Sequence, residues 1–158
     1  MCIRDRLYHV DGTLVHTFKG HTNSVFGMAV TRAGQHIISG SWDRLVTVWN
    51  VASRRLVSTC IGHTNPVLAV AAMPDGQRIL SGSSDSTVRV SLLAGTHKNT
   101  FVLHTCEVFA LVALPDNQHA LSSSFDKTVK LFNVNDGAVL RTFKHHSRPV
   151  YCLSLIHI

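Results

Sequence analysis

The sequence predicts an all-β protein built from repeated, antiparallel, four-stranded units, and three observations lead to this fold class. His21, His63, His104 and His146 follow one another at intervals of 42, 41 and 42 residues. Short runs of β-branched and apolar residues fill each interval, and none is long or periodic enough for a helix. Turn-forming residues separate these runs, as a chain of short strands requires. Other residues keep the same period: Val25, Val67, Val108 and Val150 after the histidines, then Asp43, Asp85 and Asp126.

The first unit contains all four predicted strands. They are expected at Val25 to Val30, His36 to Ser41, residues 45–49 and Leu56 to Cys60. A turn at residues 33–35 separates the first two strands, and it recurs at residues 74–76 and 115–117, where Gly or Asn tolerates a positive φ. One unit cannot bury both faces of its sheet alone. Copies must therefore stack, either as a solenoid or radially as propeller blades.

Sequence motifs within the units resemble the WD-repeat family, whose units run from a Gly-His pair to a Trp-Asp pair. The first unit contains Gly20-His21, Ser39-Gly40-Ser41-Trp42-Asp43 and Val46-Thr47-Val48-Trp49-Asn50. Matching motifs are Gly62-His63 with Ser81-Gly82-Ser83-Ser84-Asp85, and His104 with Ser122-Ser123-Ser124-Phe125-Asp126. The resemblance covers residues 7–151 and implies a WD-repeat β-propeller with four-stranded antiparallel blades.

The resemblance also implies a structural hydrogen-bond network inside each blade, made by a histidine, a strand serine, a turn aspartate and a strand tryptophan. The first unit has the full set: His21, Ser39, Asp43 and Trp49. The other units keep His63, Ser81 and Asp85, and His104, Ser122 and Asp126, with Ser91 and Phe132 at the tryptophan position. A set that recurs at a structural period indicates a structural role and not a catalytic triad.

The resemblance also implies that partners dock on one face of the propeller. The candidate partner-binding residues are Phe26, Trp42, Leu68, Ser84, Glu107, Phe109, Phe125 and Tyr151. Aromatic residues are enriched among those that dominate interface energies, although a single ring here could instead pack between blades. We therefore expect a scaffold or adaptor that binds other proteins or peptides, with no catalytic residue.

The net charge of +6 and the pI near 9.6 leave nucleic acid open as a partner. The basic residues are scattered, however, and no motif for nucleic-acid binding accompanies them. The alternatives are a component of an RNA-protein assembly and a regulatory propeller domain of a longer enzyme. We expect no metal site and no cofactor, because Cys2, Cys60, Cys106 and Cys152 are too widely spaced for a ligand set and are interpreted as reduced.

The remaining expectations concern location and boundaries. The sequence has no apolar run of about 18 residues and no secretion signal, so we expect no membrane association and an intracellular protein, cytoplasmic or nuclear. Residues 1–6 and 152–158 resemble translated sequencing-adapter remnants and are expected to be non-native. Residues 7–151 are then an incomplete ring with units starting near residues 21, 63, 104 and 146, and Tyr151 lies on the first strand of the last. Its open edges favour self-association.

Overall fold

The structure, a computed structural model, describes residues 5–154, and the regular elements in this range are all strands. They are β1 Asp5–Tyr8, β2 Leu14–Phe18, β3 Val25–Val30, β4 His36–Ser41, β5 Val46–Asn50, β6 Leu56–Cys60, β7 Val67–Ala72, β8 Arg78–Ser83, β9 Val88–Leu92, β10 His97–Phe101, β11 Val108–Ala113, β12 His119–Ser124, β13 Val129–Asn133 and β14 Val139–Phe143. The all-β prediction is confirmed. The third strand of the first unit begins and ends one residue later than expected, a usual uncertainty in strand ends.

The strands form three four-stranded antiparallel sheets and one two-stranded sheet. We call β3–β6 blade 1, β7–β10 blade 2 and β11–β14 blade 3; β1 pairs with β2. Within each blade, neighbours in the chain are also neighbours in the sheet, because only short turns connect them. The architecture is that of propeller blades, and the described residues do not close a ring.

Apolar side chains from adjacent blades form the core. Between blades 1 and 2 the buried cluster includes Ile38, Val48 and Val67. The larger cluster between blades 2 and 3 includes Leu80 and Phe132, both fully buried. Each blade therefore depends on its neighbour to remove apolar surface from water, as expected for repeat units.

Two glycines allow the blades to approach each other closely. A Cβ on Gly40 would lie 2.6 Å from Cγ1 of Val67, and one on Gly82 would lie 2.7 Å from Cγ1 of Val108. These separations are well inside van der Waals contact, so a side chain at either position would force the blades apart. Ser123 occupies the equivalent position in blade 3, where its hydroxyl is buried and has no hydrogen-bond partner among residues 5–154.

The structure differs from the expectation for the last unit. Tyr151 does not lie on a strand, because the described residues after Phe143 contain no strand and Val150 makes a single backbone hydrogen bond, from its N–H to the Ser124 oxygen at 3.2 Å. Asp5 and Arg6, assigned to the non-native segment from the sequence, lie in β1, and their non-native origin stays a prediction. Of the other residues in that assignment, residues 152–154 are described and contain no strand, whereas residues 1–4 and 155–158 lie outside the described residues.

Candidate functional site

A hydrogen-bonded network links the entry loop of blade 1 to its central strands. The imidazole of His21 lies with Nδ1 2.9 Å from Oδ2 of Asp43 and Nε2 3.1 Å from Oγ of Ser39. The same Asp43 oxygen accepts the backbone N–H of Thr22 at 2.9 Å. The aspartate lies in the turn between β4 and β5 and the serine lies on β4, so the histidine ties the entry loop to both.

Thr47 is a member of this network that the sequence interpretation missed. Its hydroxyl lies 2.7 Å from Oγ of Ser39 and 3.0 Å from Nε2 of His21. It also accepts the indole N–H of Trp49 at 3.0 Å, so the tryptophan joins the network through the threonine. A single hydroxyl in the buried run of β5 was the available signal, since a buried polar group requires a partner.

Blades 2 and 3 repeat the histidine contacts. His63 Nδ1 lies 2.8 Å from Asp85 Oδ2, and Nε2 lies 2.9 Å from Ser81 Oγ. The corresponding distances from His104 to Asp126 and to Ser122 are both 2.8 Å. The three blades thus share the histidine, serine and aspartate of the network.

The outer part of the network is rebuilt in blades 2 and 3, where Arg89 and Lys130 replace Thr47. The Arg89 guanidinium lies against Gly62, in the place where the Trp49 indole lies against Gly20 in blade 1. Its Nε is buried, and within the described residues it has no hydrogen-bond partner. In blade 3 the Lys130 ammonium donates to the backbone oxygen of Leu103. In blade 2 a cationic side chain therefore lies where the indole lies in blade 1, and in blade 3 a lysine bonds to the backbone of the entry loop.

The electrostatics of the network favour charged aspartates. Burial alone would raise the pKa of Asp43, but hydrogen bonds from the Thr22 amide, the His21 ring and the Leu45 amide lower it below its ordinary value. The pKa of Asp85 is lowered in the same way, and that of Asp126 falls to about 2. Burial lowers the pKa of His104, which favours its neutral form.

The network offers no accessible nucleophile, because the three serines Ser39, Ser81 and Ser122 are buried. Their hydroxyls are committed to histidines in the interior of each blade. A hydrolytic triad requires a serine that the substrate can reach. The geometry is that of a structural element.

Exposed aromatic rings occupy the end of the blades that carries the turns at residues 42–45, 84–87 and 125–128; we call this the aromatic end. In blade 1 the rings of Phe26 and Trp42, 54% and 51% exposed, have centroids 5.6 Å apart. In blade 3 Phe109 contacts Phe125 at 6.3 Å and Tyr151 at 4.8 Å. Phe125 is 46% and Tyr151 59% exposed, so both groups of rings reach the surface.

The other predicted binding residues lie at the same end and are partly exposed. In each blade the residue before the turn aspartate donates its backbone N–H to the entry loop: Trp42 to Ser24, Ser84 to Pro66 and Phe125 to Glu107, at 2.8 to 3.0 Å. These bonds place each turn beside its loop. Blade 2 presents Leu68 and Ser84 between the aromatic groups of blades 1 and 3. The eight predicted positions therefore share one end of the protein.

Other chemistry is sparse within residues 5–154. This range contains no cluster of three or more His, Cys, Asp or Glu residues arranged to hold a metal ion, and no helix long and apolar enough to cross a membrane. Cys60, Cys106 and Cys152 are free thiols, and burial raises the pKa of Cys60. Cys2 lies outside the described residues.

The repeated network and the four-stranded blades define a repeat protein of the propeller class. The family model described as "WD domain, G-beta repeat" matches residues 12–50, 54–90 and 95–133. The chain belongs to the WD-repeat family, as the sequence motifs predicted. Each match spans the last strand of one sheet and the first three strands of the next.

A curated human relative, WD repeat-containing protein 18, is 36% identical to the chain over 54 residues. The aligned region covers 34% of this chain and 12% of that protein. The similarity therefore concerns a small part of the relative.

Proposed function

We propose that this WD-repeat chain is a protein-interaction scaffold or adaptor whose partners, other proteins or peptides, dock on the aromatic end. WD-repeat propeller domains typically mediate protein-protein interactions, and family membership supports this class of function. The observation that carries the proposal is the pair of exposed ring groups, Phe26 with Trp42 and Phe109 with Phe125 and Tyr151.

Exposed rings at these positions suit a binding role for a physical reason. An aromatic ring offers a large apolar surface with few rotatable bonds, so covering it removes much surface from water at a small entropic cost. Each group contains rings that already contact one another. Such preorganised pairs lose little further freedom when a partner covers them.

The test compares partner recovery by Trp42→Ala and by Leu140→Ala. Leu140, 56% exposed, lies on the outer strand β14, and its variant controls for loss of an exposed apolar side chain elsewhere. A partner retained by the wild type and by Leu140→Ala, but lost with Trp42→Ala, would be purified and titrated. We expect Trp42→Ala to weaken it by about 2 kcal/mol, roughly thirtyfold. Equal affinity of both variants for every partner would contradict the proposal.

The proposal includes a non-enzymatic role and an intracellular location, cytoplasmic or nuclear. The buried serines support the first, since the repeated His-Asp-Ser set leaves no nucleophile within reach of a substrate. The free thiols Cys60 and Cys106 support the second, since cysteines of oxidising compartments are usually paired.

A further inference from the structure

The aromatic end carries exposed positive charge next to its rings. The loops and turns at this end contain five basic residues, all exposed: Lys19, Arg44, Lys127, Lys144 and Arg148. Two of them share a turn with an exposed ring. Trp42 and Arg44 flank Asp43, and Phe125 and Lys127 flank Asp126.

The carboxylates at the aromatic end are mostly occupied. Asp43, Asp85 and Asp126 have side chains only 6 to 9% exposed, and each is hydrogen-bonded to its histidine. Each also accepts backbone N–H groups of its own turn and of the entry loop. Glu107 is the remaining carboxylate in these loops and is partly exposed. A partner therefore meets free cations and few free anions.

The opposite end of the blades has a different balance of exposed positive and negative charges. Its loops carry four exposed aspartates, Asp11, Asp75, Asp116 and Asp136, and three exposed arginines, Arg32, Arg54 and Arg55. Exposed carboxylates thus outnumber exposed cations there, and the described aromatic pairs with exposed rings lie at the aromatic end. The opposite end has an exposed ring as well, that of Tyr8, but the contacting pairs of exposed rings and the excess of cations over carboxylates in the loops coincide at the aromatic end.

The turns that carry Arg44 and Lys127 lie on either side of the blade 2 turn, which has no basic residue. In blade 2 the turn residues that correspond to Trp42 and Arg44 are Ser84 and Ser86, and Leu68 lies beside them on β7. An extended segment crossing the blades would meet ring and cation, then a small surface with one apolar side chain, then ring and cation again.

We infer that the partner segment docking on the aromatic end is an acidic peptide with apolar side chains, an inference that rests on the proposed function. Its apolar side chains cover the rings, and its carboxylates pair with Arg44 and Lys127. Charge pairs at a wet rim chiefly select the partner and speed its arrival, while the rings supply most of the affinity.

Nucleic acid is the less favourable partner for this surface. The loops and turns of the aromatic end contain five basic residues against four carboxylates, which leaves little net charge. A polyphosphate draws its affinity from a dense basic surface, and five basic residues spread over separate loops do not form one. A peptide with a few carboxylates can instead pair with single cations over distances shorter than the Debye length.

The experiment titrates the 158-residue chain with two synthetic peptides and follows the fluorescence of its tryptophans. One peptide alternates Leu and Phe with Glu, and the other has Gln in place of every Glu. The variants are Arg44→Ala with Lys127→Ala, Trp42→Ala, and, as a charge-matched control, Arg32→Ala with Arg54→Ala at the opposite end. Affinities are read by polarisation of a labelled peptide wherever Trp42 is replaced.

We expect the Glu peptide to bind more tightly than the Gln peptide. Loss of Arg44 and Lys127 should weaken the Glu peptide by about fivefold and leave the Gln peptide unchanged, while the control variant binds both as the wild type does. Failure of the Glu peptide to bind, or tighter binding of an oligouridine through the same cations, would overturn the inference. Equal binding of both peptides, weakened by Trp42→Ala, would overturn the acidic partner and leave the proposed function standing. If Trp42→Ala weakens neither bound peptide, both proposals fail.

Discussion

Replacing Asp43 with alanine is the perturbation that tests the blade network most sharply. The carboxylate lies beneath the turn between β4 and β5 and accepts the His21 ring at 2.9 Å, the Thr22 amide at 2.9 Å and the Leu45 amide at 3.1 Å. Alanine removes the two oxygens that accept these three hydrogen bonds and leaves the donors in place. A single substitution therefore leaves all three donors without the partner that they have in the folded protein.

The size of the expected destabilisation depends on which of these donors water can reach once the carboxylate is gone. Thr22 is exposed, so its amide can bond to water once the carboxylate is gone, whereas the His21 side chain is 1% exposed. A buried donor left without a partner costs about 1 to 3 kcal/mol. We expect Asp43→Ala to lower the free energy of unfolding by about 2 kcal/mol, and Asp43→Asn to lower it less because the amide oxygen still accepts one bond.

Urea unfolding followed by tryptophan fluorescence measures this change, since Trp49 is buried in the same network. Asp116→Ala is the matched control, because Asp116 also accepts a histidine ring and two amides but is 47% exposed. Water replaces its bonds, so its loss should be much smaller. Equal losses for the two variants, or an unchanged midpoint for Asp43→Ala, would refute the assignment of the network as a stabilising element.

Two further predictions concern stability. The pKa of His104 is lowered in the folded chain, so its contribution to the free energy of unfolding is complete above the ordinary value of about 6.5 and declines as the pH falls below that value. Urea titrations at several pH values measure this dependence, and His104→Gln should make the stability depend less on pH. Gly82→Ala places a Cβ 2.7 Å from Val108 and should cost about 1 to 3 kcal/mol. An unchanged melting temperature would show that the blades can separate there freely.

Much of the fold was predictable because its determinants are local. Strand β4 was predicted at its observed bounds, since its run of apolar and small residues ends at clear turn formers on both sides. The Trp42 turn was also predictable from the repeat. These features depend on a few neighbouring residues and recur at a fixed spacing, so the same pattern occurs more than once in the sequence.

The contacts that the sequence did not reveal depend on tertiary packing. Thr47 has no hydroxyl counterpart in blades 2 and 3, so the repeat pattern did not indicate its role in the network. That Arg89 fills the space of a missing indole is visible only where its guanidinium meets Gly62 across the loop. Tyr151 was predicted on a strand from its place in the repeat, but a strand requires a partner ladder, and the described residues beside it provide one bond.

Partner docking at the aromatic end is the central claim, and amide hydrogen exchange with a purified partner tests it most directly. The protein-binding account predicts slower exchange on binding at residues 42–45 and 125–128, with no change in the turns at residues 31–35 and 73–77 of the opposite end. Slower exchange at the opposite end, with the aromatic end unchanged, would contradict it.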